Sequence, residues 1–179
     1  MKLVFRCIAV ALLAVAAGCS SNVHMGTSTK YAYAGEKYGS VVVVLADAVS
    51  KDKDKAYRAE DLALDKHIIS ALKAANLYDE QAHGQVRVTV NAIRVRNTFN
   101  AVMFGFMSGS DNIDGSVQLL DDQQKPRADF NVKASYSLGG VGGGQSDTRL
   151  GWLRDKFAEL TVGVILGHSD GKSAGSNAG

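Results

Sequence analysis

Cysteine, net charge and long hydrophobic runs are all scarce in this sequence, and each scarcity removes a class of protein. Only Cys7 and Cys19 occur. A chain cut between them keeps one thiol, so no intramolecular disulfide can form and stability must come from a hydrophobic core. The run of apolar or small residues from Cys7 to Ala17 is 11 residues long, well short of the roughly 20 that a membrane-spanning helix requires. Neither charge is in excess: the 20 Lys and Arg include Lys2 and Arg6, so once residues 1–18 are removed the remainder equals the 18 Asp and Glu. A neutral domain has no electrostatic footprint for nucleic acid, which is therefore not expected as a partner.

Signatures of catalysis and of ligand binding are thin as well. His24, His67, His83 and His168 are widely separated, with no H-x-x-x-H or clustered Cys/His spacing to orient ligands around a metal. No cofactor is expected. There is no G-x-S-x-G elbow, and Cys19 stands in the N-terminal region rather than beside a candidate base. The glycine-rich "GGVGGG" lacks both the G-x-G-x-x-G order and the Lys-Ser/Thr of a phosphate loop. It reads as a connector whose amides can meet an anion at the start of the following helix. Ser70 and Lys73 form S-x-x-K, and Ser110, Asp111 and Asn112 form S-D-N, two of the three signatures of serine β-lactamases and penicillin-binding proteins. The third, K-T-G, is missing and the chain is small for that fold, so the match reads as coincidence.

The N-terminus is informative. Met1, Lys2 and Arg6 precede the apolar run, and small residues lead to "VAAGCSS" at 15–21, the charged, greasy and small-residue order of a secretory signal. Ala16, Ala17 and Gly18 before Cys19 resemble the lipobox of bacterial lipoproteins, with Ala where Leu is commonest. That resemblance implies cleavage between Gly18 and Cys19, acylation of Cys19, and anchorage to a membrane. Ser20, in place of an Asp, implies the outer membrane. The alternative is an ordinary cleaved signal in which Cys19 is a spectator.

Beyond the signal peptide at 1–18, residues 19–30 read as the lipidated cysteine and a polar, flexible tether, and 168–179 as a disordered tail. The stretch 31–167 is long enough for one domain with a sizeable core. Val41 to Leu45 suggests a strand buried on both faces. From Tyr57 to Ala75, Leu64, Ile68, Leu72 and Ala75 recur at helical spacing, and Asn76 suits a left-handed cap.

In "QVRVTVNAIRVRN", Val86, Val88 and Val90 alternate before the phase slips to Ile93 and Val95, as a β-bulge would cause. Ile113, Val117 and Leu119, the turn "DDQQKP", and Phe130, Val132, Ala134, Tyr136 and Leu138 read as a hairpin, with Pro126 fitting only near a strand start. Leu150, Leu153, Phe157, Leu160 and Val164 define a second amphipathic helix with Asp147 as N-cap. The expected fold class is α+β: about four mostly antiparallel strands with two amphipathic helices on one face, in the order β-α-β-β-β-α.

The segment "TFNAVMFGFMSGS", 98–110, carries more apolar surface than one packing face hides. Phe99, Met103, Phe104, Phe106 and Met107 form either a plug for the core or a patch for a partner, for self-association or for lipid. The run "KDKDK" at 51–55 reads as a solvated loop, and Tyr31, Tyr33 and Tyr38 suit a binding surface or an edge strand.

"VRVTVNAIRVRN", the link through "GFMSGS", "IDGSVQLLDDQQKPRADFNVKASYSLGGVGGG" and the closing helix together resemble a family of small Gram-negative lipoproteins classed as a domain of unknown function. The resemblance spans about Ser40 to Gly167. Its basic residue near the glycine link is matched only if Arg94 or Arg96 takes that place, and it implies no catalytic residues. The leading expectation is an outer-membrane lipoprotein, held by acyl chains on Cys19, whose periplasmic, non-catalytic domain binds an envelope protein or complex. A periplasmic hydrolase predicts Asp111 and Asp114 converging with Ser70 or a histidine in a cleft, and a carrier of a hydrophobic ligand predicts an apolar cavity.

Overall fold

The computed structural model describes residues 22–25, 33–51, 57–96, 109–137 and 145–168. Its sheet has five strands in the order β1-β5-β4-β3-β2, namely β1 Asn22–Met25, β2 Tyr38–Leu45, β3 Gly84–Arg94, β4 Asp111–Leu120 and β5 Pro126–Tyr136. The helices α1 Asp47–Ser50, α2 Ala59–Leu62 and α3 Leu64–Ala74 lie between β2 and β3, and α4 Ser146–Ile165 follows β5. Only β2 and β3 pair in parallel; the other pairs are antiparallel. From β2 onward this is the expected α+β order.

Where the sequence period is strong, the backbone follows it. The slip within β3 is a bulge: Val90 faces Gly115, Ala92 faces Asp114, and Asn91 is the extra residue. The turn 121–125 is held by Asp121, whose Oδ1 accepts the N–H groups of Gln123 and Lys125, each at 2.9 Å. Asn76 has φ +57°. It ends α3 with the paired bonds of a Schellman cap, Asn76 N–H to Lys73 O at 3.1 Å and Leu77 N–H to Leu72 O at 2.8 Å.

Four expectations are corrected. The helix read from Tyr57 to Ala75 breaks at Ala63, which takes the left-handed conformation with φ +47°. Leu62 and Leu64 are both fully buried, yet in one continuous helix they would point about 200° apart; the break turns both inward. The stretch read as tether at 20–30 contains β1, which pairs with Phe130–Lys133 and covers the edge of β5. Four residues are too few to show a period of two. Val41 to Leu45 is not buried on both faces: Val42 and Val44 are 37% and 43% exposed, because β2 is the outer strand and the helices cover only one face. Finally, α4 starts at Ser146 with Gln145 as N-cap, so Asp147 sits in the first turn instead of capping it.

The core lies between that covered face and the helices. Val86, Val88 and Val90 of β3, Ile113, Val117 and Leu119 of β4, and Phe130, Val132 and Ala134 of β5 meet Ile68 and Leu72 of α3 and Leu153, Phe157 and Leu160 of α4. The other face is mostly polar, with Val42 and Val44 exposed on it. Across it Asn91 donates to Ser116 Oγ at 2.8 Å, and Ser116 donates to Asn131 Oδ1 at 2.9 Å.

Candidate functional site

A buried carboxylate held by two guanidiniums stands at one end of the sheet. Asp111 opens β4, Arg96 follows the end of β3, and Arg149 lies in the first turn of α4; they are 0%, 5% and 1% exposed. Asp111 Oδ1 accepts the Arg96 backbone N–H at 2.6 Å and its Nε–H at 3.1 Å, while Oδ2 accepts from Arg96 Nη2 at 3.1 Å and Arg149 Nε at 2.8 Å. Further guanidinium donors reach carbonyls, Arg96 Nη1 to Gly109 O and Arg149 Nη2 to Arg96 O, each at 2.6 Å. One acid and two backbone oxygens thus tie together the end of β3, the start of β4 and the start of α4.

Opposing forces act on this carboxyl. Burial pushes its pKa up, but the Arg96 hydrogen bonds and charge, with the Arg149 hydrogen bond, outweigh that and hold it below the ordinary carboxylate value. Asp111 is therefore ionised at neutral pH and its oxygens are fully engaged. Such a carboxylate neither takes up a proton near neutrality nor has a lone pair aimed at solvent.

The Arg96 Nη1–Gly109 O bond joins the two described residues that flank 97–108. Gly109 takes φ +85°, a left-handed conformation that disfavours any residue with a side chain. Phe99, Met103, Phe104, Phe106 and Met107 lie outside the described residues, as do Gly18 and Cys19. At the same end of the sheet, Tyr136 and Trp152 meet edge to face with ring centres 5.0 Å apart.

The residues of the hydrolase reading do not converge. Asp111 is committed to the arginines, and Asp114 faces Ala92 and Lys133 within the sheet. Ser70 is exposed on α3, and Lys73 places its ammonium 4.9 Å from the centre of the Tyr78 ring. Ser70 instead lines a groove of about 570 Å³ between α3 and α4, with Ala71, Ala74 and Val162 among its apolar walls. His67 Nδ1 meets Asp155 Oδ1 across this groove at 2.6 Å. His168 reaches its far end, while His83 lies exposed before β3. Among the described residues no three His, Cys, Asp or Glu gather as metal ligands.

Arg149 was absent from the candidate residues although the sequence carries a signal for it. It precedes Leu153 by four and Phe157 by eight, so a cation occupies the apolar stripe of α4. Asp111 likewise falls in phase with the inward-facing Ile113 and Val117. Charges at inward positions call for a partner, but nothing local says that each is the other's.

The class defined here is an α+β domain with a one-sided helix layer and a buried Arg–Asp–Arg clamp. The family described as "Domain of unknown function (DUF4410)" matches residues 29–140, and the chain belongs to it. Among solved structures, the chain is similar to the PelC L103M dodecamer from Paraburkholderia phytofirmans, with 13% identity and a TM-score of 0.47 over 77% of this chain and 94% of that one. The PelC dodecamer from the same organism in another crystal form gives 12% and 0.46 over the same shares of each chain, 77% and 94%. No curated protein matches the chain.

Proposed function

We propose that the chain is an outer-membrane lipoprotein, anchored through acyl chains on Cys19, whose periplasmic domain binds another envelope protein or complex and turns over no substrate. The observation that carries binding over hydrolysis is the engagement of Asp111. The acid on which a hydrolytic site would depend is buried, ionised and saturated by Arg96 and Arg149. The same clamp joins Arg96 to Gly109, the described residues on either side of the apolar-rich sequence 97–108, which carries the candidate partner-binding side chains.

Anchoring supports the same reading. Each buried methylene of an acyl chain contributes about 0.8 kcal/mol, so several chains hold the domain where a membrane partner sits. The test is in-cell crosslinking of the tagged protein, followed by mass spectrometry of the captured complexes. Native protein is expected to capture a discrete envelope partner that Cys19→Ala and Phe106→Asp each lose while the domain stays folded. Efficient crosslinking with no specific partner refutes the proposal.

A further inference from the structure

We infer that the domain stands end-on at the bilayer, with Trp152 and Tyr136 at the lipid-facing end. This rests on the anchoring reading of Cys19 and adds an orientation to it. The strand register supplies the argument. β1 runs antiparallel to β5, with Asn22 opposite Lys133 and Met25 opposite Phe130. Moving back from Asn22 therefore leads toward Tyr136, the last residue of β5. Cys19 is three positions before Asn22, a reach of about 10 Å at most. The chain thus enters β1 from the Tyr136 end of the sheet, which is the end within reach of an acyl anchor on Cys19. The opposite end, at the turn 121–125, is the length of β5 away, about 35 Å for its 11 residues.

The surface at the anchored end suits a lipid interface. Among the described residues the large exposed apolar side chains are Tyr33, Val42, Val44, Trp152 and Leu166. Val42 and Val44 lie on β2, at the sheet edge farthest from β1, Leu166 follows the far end of α4, and Tyr33 precedes the start of β2, at the end opposite Tyr136. Trp152 stands against Tyr136, next to the place where the chain leaves for Cys19. An indole that is 43% exposed has an apolar body and a polar N–H, the combination that settles at the headgroup boundary. The outer sheet face carries Arg87, Gln118, Asn131 and Lys133 with Val42 and Val44 as its exposed apolar side chains, a mostly polar surface that favours an upright domain over one lying flat.

Trp152 is the only tryptophan, so its fluorescence reports this position alone. The acylated full chain is reconstituted into phosphatidylcholine–phosphatidylglycerol vesicles with and without brominated acyl chains, and intact mass reads the acylation. Trp152 emission is expected to shift to shorter wavelength on reconstitution and to lose most of its intensity with brominated lipid. The double variant Trp152→Phe/Gln123→Trp, which moves the probe to the opposite end, is expected to show neither change. Acylated, vesicle-bound protein with Trp152 unquenched overturns the inference, and so does equal quenching of both probes, which means a flat domain. A chain without acyl groups overturns the anchoring reading itself, and the intact mass distinguishes that result from the other two.

Discussion

Asp111→Asn removes one negative charge from between two buried guanidiniums and changes almost no volume. In the native protein the carboxylate accepts four hydrogen bonds from Arg96 and Arg149. An amide accepts through one atom and turns its NH2 toward cationic donors. Breaking a buried ion pair by removing one partner costs about 3–5 kcal/mol, chiefly because uncompensated charge stays buried. A domain of this size loses about 4 °C of Tm per kcal/mol. Thermal unfolding followed by circular dichroism at neutral pH should therefore place Asp111→Asn about 12–20 °C below the native protein.

The pH dependence gives a second readout with a fixed sign. The folded pKa of Asp111 lies below its unfolded value, near the ordinary 3.8. Its contribution to stability is then complete above that value and is lost as pH falls through the folded pKa. The difference in Tm between native and Asp111→Asn should hold steady from neutral pH down to about pH 5 and shrink below about pH 4. A variant within about 1 kcal/mol of native at neutral pH, or a difference that persists undiminished into strong acid, refutes the clamp as described.

Gly115→Ala should lower stability by about 1–3 kcal/mol in denaturant unfolding, because a Cβ there lies 3.0 Å from Phe157 Cζ and 3.1 Å from Thr89 O. Leu72→Ala, at a fully buried position of α3, should cost about 2–5 kcal/mol by the same assay. Val44→Thr, on the uncovered face, should stay within about 0.5 kcal/mol of native, where burial on both faces would demand a much larger loss. Lys51→Ala removes the pair with Asp47, whose side chains are 74% and 85% exposed, and should leave Tm unchanged.

The elements most legible in the sequence were those whose evidence is local. Alternation along β3 carried its own phase slip, and the bulge at Asn91 followed, because a two-residue period records which face each side chain must take. The hairpin turn, the cap at Asn76 and the stripe of α4 were legible for the same reason. Tertiary structure decided what depends on meetings between distant positions. Asp111 finds Arg149 across 38 residues, and no period in either segment announces the other. Ala63 breaks a helix because two leucines need the same core, and Asn22–Met25 form a strand only because β5 presents an edge. The register of β1 on β5 decides that the chain enters β1 from the Tyr136 end, and Trp152 shares that end because the last helix sets its ring against Tyr136.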